Sequence, residues 1–247
     1  MITTPGATLP SSLDGVTAVV TGASRGIGEA IARSLAGAGA TVALVSRGRP
    51  ALEELASELG ARAHVVPCDL TDAAAVARAV EQIGAVLGES PRIVVNNAGS
   101  FHLARAAEES ADAFAATLNL NLVAPFRMAR AFLPAMLAAG RGHLVTIGSI
   151  ADRHTFPLNA AYAASKFGMR AVHEVLRAET QGTGVRASLV SPAATDTEIW
   201  GAARAGAPAG LPTSDQMLRA EDVARAVLFV VSQPAHVTID ELRLSRS

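Results

Sequence analysis

The only tyrosine and the only lysine of this chain stand four residues apart, in the stretch YAASK from Tyr162 to Lys166. On a helix, positions i and i+4 share a face. An ammonium group beside a phenol favours the ionised phenolate, and a phenol tuned in this way moves a proton at neutral pH. All 20 other basic residues, histidines aside, are arginine. Arginine neither releases a proton nor replaces a compact ammonium. A lone Tyr-x-x-x-Lys is otherwise a solvated helix face, and the single use of lysine weighs against that here. Ser149 lies 13 residues before Tyr162, at the end of a β-branched run. Its hydroxyl could hold a substrate oxygen between itself and the phenol.

A second stretch, TGASRGIGEA at residues 21–30, fits two chemistries. Gly22, Ser24 and Gly26 match the G-x-S-x-G elbow of a serine hydrolase. Gly22, Gly26 and Gly28 match a glycine-rich loop that lets backbone N–H groups and a helix N-terminus approach a phosphate. A hydrolase needs an acid and a histidine delivered from later strands, and several strands usually precede its elbow. Only one strand precedes Ser24, and the downstream His236 is expected at the end of a helix. The phosphate loop is therefore the stronger reading.

These residues need elements to position them. Short β-branched runs alternate with helical stretches. Strands are expected at VTAVVTG (16–22), ATVALVS (40–46), AHVVPCDL, RIVVNNAG (92–99), GHLVTIGS, GVRASLVSP and HVTIDELRL. Helices are expected between them, including one with Thr71 or Asp72 as its cap. A long helical region is expected from about 105 to 138 and another from 159 to 181. Seven strands alternating with helices imply a parallel sheet covered on both faces. Ligands in such folds bind at the carboxyl ends of the strands. Those ends carry the loop at Gly22, then Ser46-Arg47, Asp69-Leu70, Asn96-Asn97-Ala98-Gly99, Ser149 and Pro192.

Composition narrows the classes. The 247 residues are 50% apolar with a net charge of -1, and no basic run points to nucleic acid. No uninterrupted run of 18 apolar residues suggests a membrane span. One cysteine, Cys68, rules out an internal disulfide framework and fits a reducing compartment. The opening MITTPGATLPSSLDG carries no leader pattern, so a cytoplasmic protein is expected. The six histidines show no metal-ligand spacing, and no metal is expected.

From about residue 14 onward the chain resembles the short-chain dehydrogenases/reductases. TGASRGIG, the Asp69-Leu70 pair, NNAG, Asn121 in LNLNLVAPF, Ser149, YAASK and the Pro192 segment recur in that family's order. The resemblance implies a single-domain Rossmann α/β fold and hydride transfer between a nicotinamide cofactor and a carbonyl or alcohol. It implies Tyr162 as acid/base. Lys166 would bind the nicotinamide ribose and favour the ionised Tyr162, Ser149 would polarise the carbonyl, and Asn121 would hold a water in a proton relay. Gly22, Ser24, Arg25, Gly26, Ile27 and Gly28 would form the phosphate loop. Asp69 with Leu70 would meet the adenine, and Asn96, Ala98 and Gly99 would lie on the adenosine side. Pro192 and Thr197 would flank the carboxamide. Pro192-Ala193 departs from the family's proline-glycine.

Cofactor choice is expected to favour NADP(H). A site preferring NAD places a carboxylate after the second strand. Here Ser46 and Arg47 stand there, with Arg25 in the glycine loop, and two guanidinium groups can grip a 2′-phosphate. One domain, 1–247, is expected, with a flexible segment 1–13 and a Gly/Pro-rich segment 193–219 that is either a substrate lid or a surface excursion. His154 and Phe156 fall where substrate could pass, and Trp200 is either a substrate wall or lid packing. A rival reading is a regulatory protein that senses the cofactor on the same fold. Apolar residues around much of the two long helices point to a homo-oligomer; the family resemblance makes it a tetramer.

Overall fold

The computed structural model describes residues 12–204 and 211–247. Its strands are β1 (Thr17–Thr21), β2 (Thr41–Ser46), β3 (Ala63–Pro67), β4 (Ile93–Asn96), β5 (Gly142–Ile147), β6 (Val185–Pro192), the short β7 (Thr195–Asp196) and β8 (Leu218–Arg219), and β9 (Glu241–Leu244). Seven of them form one sheet in the order β3-β2-β1-β4-β5-β6-β9. Every neighbouring pair in it is parallel. This is the expected single-domain Rossmann fold.

The helices are α1 (Gly26–Gly37), α2 (Arg49–Leu59), α3 (Ala73–Leu87), α4 (Ala111–Leu118), α5 (Ala124–Ala139), α6 (Ala160–Thr180), α7 (Ile199–Arg204) and α8 (Ala220–Val231). Alternation along the strands sends successive side chains to opposite faces. Val20 of β1 joins Ile31, Leu35, Leu52 and Val227 from α1, α2 and α8. Its neighbour Val19 joins Ile83, Met128, Phe132 and Leu176 from α3, α5 and α6. Each large side chain so buried contributes roughly 1.5–3 kcal/mol. Asp72 is the cap of α3, accepting from the Ala74 N–H at 2.8 Å, and Gly88 ends that helix at φ +71°.

Because β1 leads to β2 and β3 on one side and β4 starts the other, the chain reverses direction across the sheet between β1 and β4. That crevice is where a doubly wound sheet takes its ligand.

Three expectations need correction. The helix placed at 105–138 begins only at Ala111, where Ser110 accepts from the Ala113 N–H at 3.1 Å. It is then broken by a π-turn at Asn119–Val123. Such an insertion often marks a functional site. The whole run Ala111–Ala139 has the length and hydropathy of a membrane span, yet it forms a helical layer over the sheet, with Met128 and Phe132 in the core. No strand is expected within 193–219, yet β7 pairs with β8 in parallel there and α7 lies between them; residues 205–210 lie outside the described residues. At the N-terminus, residues 1–11 also lie outside them, but Leu13 is anchored: it is buried, and its N–H donates to the Ala38 carbonyl at 2.6 Å.

His143 sits inside β5, 1% exposed, with Nε2 2.8 Å from Ser188 Oγ. Burial, helped by Arg186, pushes its pKa down to about 3. In the unfolded chain the imidazole ionises near 6.5. Between those values the unfolded state binds more protons, so this contribution is full above pH ~6.5 and is lost as pH falls toward ~3, with a limiting slope of about 1.4 kcal/mol per pH unit. His143→Gln should flatten the acid side of the stability–pH curve measured by denaturant unfolding. Parallel curves for the two proteins would remove His143 as the cause.

Candidate active site

The crevice opens into a cavity of about 1250 Å³ at the carboxyl ends of the strands. One end is built from the glycine loop. Gly22 and Gly26 adopt φ +69° and +55°, the left-handed region that glycine enters without strain. Gly22, Ser24, Arg25, Gly26 and Ile27 line the cavity. Gly28 does not line it; a Cβ there would lie 2.1 Å from the Gly22 carbonyl oxygen. The absent Cβ lets α1 pack closely against the end of β1. Among the described residues no histidine bonds to Ser24, whose neighbours are those of a loop, not of a nucleophile.

The loop is held from β4. Thr21 Oγ1 accepts from the N–H groups of Asn97 and Ala98 at 3.0 and 3.1 Å and donates to the Val95 carbonyl. Asn97 Nδ2 returns a bond to the Thr21 carbonyl at 2.9 Å. Asn97, not Asn96, is the residue on the cavity wall. Asn96 is buried behind it and donates to the Pro125 carbonyl at 3.3 Å. Strand alternation puts neighbours on opposite faces, and here it turns Asn96 toward α5. The position expected for Asn96 thus passes to Asn97, with Ala98 and Gly99 beside it on the wall.

Ser46, Arg47, Asp69 and Leu70 line the same end. Asp69 accepts from the Thr71 N–H and hydroxyl at 2.9 and 2.7 Å, which lowers its pKa. Cys68 is buried among them, and burial, with Asp69 and Asp72 nearby, pushes its thiol up to about 11. It is a packing residue there.

At the other end stand Ser149, Tyr162 and Lys166. Gly148 continues β5 by donating to the Val190 carbonyl at 2.8 Å. Ser149 then caps a 3₁₀ turn, Ile150–Asp152. Its Oγ accepts from the Ala151 N–H at 3.1 Å, which leaves the hydroxyl hydrogen to donate. The buried Asp152 accepts from the Ser149 N–H at 3.4 Å and from Ser191 Oγ. Lys166 is 8% exposed; its Nζ donates to the Ile147 carbonyl at 2.9 Å and lies 5.5 Å from the Tyr162 ring centroid. Two of its three donors are therefore left for other partners.

Asn121 is not on the cavity wall. Its Nδ2 donates to the Ser100 carbonyl and to Ser165 Oγ at 2.9 and 3.2 Å, and its Oδ1 accepts from the Ser100 N–H at 2.8 Å. The π-turn places its side chain as a strut between the β4 loop and α6. Pro192, Ala193 and Thr197 do line the cavity. Ala193 replaces glycine without strain: among the described non-glycine residues only Leu158 has positive φ, and the Ala193 N–H donates to Leu244. Phe101 and Leu120 also reach the wall; no spacing rule marked them.

A dinucleotide phosphate fits the loop end. Arg25 caps α1 in extended conformation without a side-chain cap bond, so the first N–H groups of α1 keep their capacity for an anion. Buried Ser46 Oγ beside the loop has no partner in the protein.

Fold and cradle together define a dinucleotide-binding domain of Rossmann type. The short chain dehydrogenase family pattern matches residues 16–208. The chain belongs to the short-chain dehydrogenase/reductase family, and it is an oxidoreductase of that family. D-threitol dehydrogenase of Mycolicibacterium smegmatis is 39% identical over 230 residues, 90% of this chain and 88% of that protein. A glycine betaine reductase of Emericella nidulans is 39% identical over 236 residues, 93% of this chain, but this chain spans only 18% of its length. Alcohol dehydrogenase from the archaeon Thermococcus sibiricus, solved with 5-hydroxy-NADP, superposes with a TM-score of 0.84 at 31% identity, over 93% of this chain and 96% of that one.

Proposed function

We propose that the chain is an NADP(H)-dependent oxidoreductase that interconverts a carbonyl and an alcohol. The observation that carries this is Lys166 held beside the Tyr162 ring, on the wall of a cavity whose other end is the glycine loop. The bound nicotinamide supplies the hydride in one direction and accepts it in the other. The chain's own residues do the rest. Gly22, Ser24, Arg25, Gly26, Ile27 and the first turn of α1 hold the pyrophosphate. Ser46, Arg47 and Arg25 hold the 2′-phosphate, and Asp69 with Leu70 flanks the adenine. Lys166 donates to the nicotinamide ribose, and Thr197 meets the carboxamide. Ser149 donates its free hydroxyl hydrogen to the substrate oxygen, where charge develops in reduction. Tyr162 gives a proton to that oxygen in reduction and takes it back in oxidation. Asn121 keeps α6 and the β4 loop in register so that these groups meet.

Apolar side chains exposed on α5 and α6, among them Phe126, Leu137, Phe167 and Val175, support a homo-oligomer, with the tetramer as the proposed state; a monomer mass by light scattering would count against it.

The test uses both cofactors with a panel of ketones and alcohols. NADPH should give the higher catalytic efficiency. Arg47→Ala should weaken NADPH binding by about 10–100-fold, the worth of a charge-assisted hydrogen bond, and leave NADH binding nearly unchanged. Equal efficiency with the two cofactors would overturn the preference. NADPH binding with no turnover of any panel member would favour the cofactor-sensing rival.

A further inference from the structure

We infer that the substrate is an uncharged carbonyl or alcohol bearing an aromatic or bulky apolar group, selected by Phe101, Phe156 and Trp200; this rests on the oxidoreductase reading above. The chain has only seven phenylalanines, one tyrosine and one tryptophan. Four of these, Phe101, Phe156, Tyr162 and Trp200, line one cavity. Phe101 stands edge-on to Tyr162, with centroids 4.9 Å apart and planes at 76°. It stands edge-on to Trp200 as well, at 5.0 Å and 62°. Mutually inclined rings leave the proton-transferring phenol inside an aromatic corner. The Trp200 indole N–H is committed to the Thr195 carbonyl at 3.0 Å, so this ring offers a ligand carbon surface rather than a donor. Phe156 is 47% exposed and Ile150 40%; both line the cavity, and a bound apolar group would cover them.

The charges on the cavity wall serve other purposes. Arg25, Glu29, Arg47 and Asp69 belong to the glycine loop, to α1 and to the ends of β2 and β3. Glu198 is paired with Arg25 at 3.3 Å. Asn159 Oδ1 on the same wall has no partner in the protein and can accept one hydroxyl; each further hydroxyl pressed against the rings without a partner costs about tenfold or more in affinity, which disfavours a polyol. A quaternary ammonium can use ring faces, but Lys166 already presents its ammonium to Tyr162, and a second cation beside it is repelled. An aryl group gains both removal from water and edge or offset ring contacts.

Trp200 is the only tryptophan, so its emission reports this end of the cavity alone. The test takes the full chain with NADP⁺ and four alcohols: 1-phenylethanol, threitol, serine and choline. Tryptophan emission reads binding, and NADPH formation reads turnover. The expected result is a change in emission with 1-phenylethanol and a kcat/KM about 100-fold above the other three, from several unpaired hydroxyls or charges at about tenfold each. Phe101→Ala should raise KM for 1-phenylethanol about tenfold and change kcat less. Turnover of threitol, serine or choline as efficient as that of 1-phenylethanol overturns the inference and leaves the oxidoreductase reading standing. If 1-phenylethanol alone alters the emission but no alcohol or ketone is turned over, the ligand class holds and the oxidoreductase reading fails. If 1-phenylethanol neither alters the emission nor reacts, the inference fails.

Discussion

Tyr162→Phe should lower kcat by about 10²–10⁴-fold, the usual worth of a positioned general acid–base group, while NADPH binds as before. The substitution removes one hydroxyl and keeps the ring. That ring makes the edge contact to Phe101 at 4.9 Å and lies 5.5 Å from Lys166 Nζ, so the packing of this end survives. Among the described residues no protein partner depends on the phenolic oxygen. The loss therefore falls on the proton transfer and appears in kcat rather than in cofactor affinity. Steady-state kinetics at saturating NADPH, together with a direct NADPH titration, separate the two. A variant that retains a tenth or more of wild-type kcat would exclude Tyr162 as the acid–base group; weakened NADPH binding would assign it a structural role.

Lys166→Arg should be nearly as damaging although the charge stays. Lys166 is almost fully buried and points one donor at the Ile147 carbonyl, 2.9 Å away. A guanidinium is planar, bulkier and fixed in its donor directions. It cannot keep that bond, approach the phenol and serve a ribose hydroxyl in the same space. A loss of about 10²–10⁴-fold in kcat/KM is expected, with weaker NADPH binding as a second sign that Tyr162→Phe lacks. The thermal midpoint of the variant shows whether folding has suffered. Lys166 is also the only lysine, so an amine-selective reagent can modify only it and the N-terminus, and bound NADPH should protect it. Near-wild-type turnover in Lys166→Arg, or labelling of Lys166 unaffected by NADPH, would remove it from the site.

Much of this protein was legible because the relevant rules are local. Strand and helix periods, the Asp72 cap and the i, i+4 relation of Tyr162 to Lys166 all depend on residues close in the chain. The glycine loop was legible for the same reason: left-handed turns at Gly22 and Gly26 need no distant partner. Even the choice between nucleophile and loop at Ser24 turned on chain order.

What only the tertiary structure decided concerns which way a side chain faces once strands have assembled. Asn96 and Asn97 are equivalent as text; β4 lying between β1 and β5 sends the first toward α5 and the second toward Thr21. The π-turn that seats the Asn121 side chain between the β4 loop and α6 had no signal in the helical period. At Gly28 only the fold shows how close the packing is: an added Cβ would lie 2.1 Å from the Gly22 carbonyl oxygen. Phe101, Phe156 and Trp200 are far apart in sequence and line one cavity only because two loops and α7 return to one rim. Local backbone preferences specify elements, but the direction of a side chain at an element's end is set by the neighbours it packs against, and those come from elsewhere in the chain.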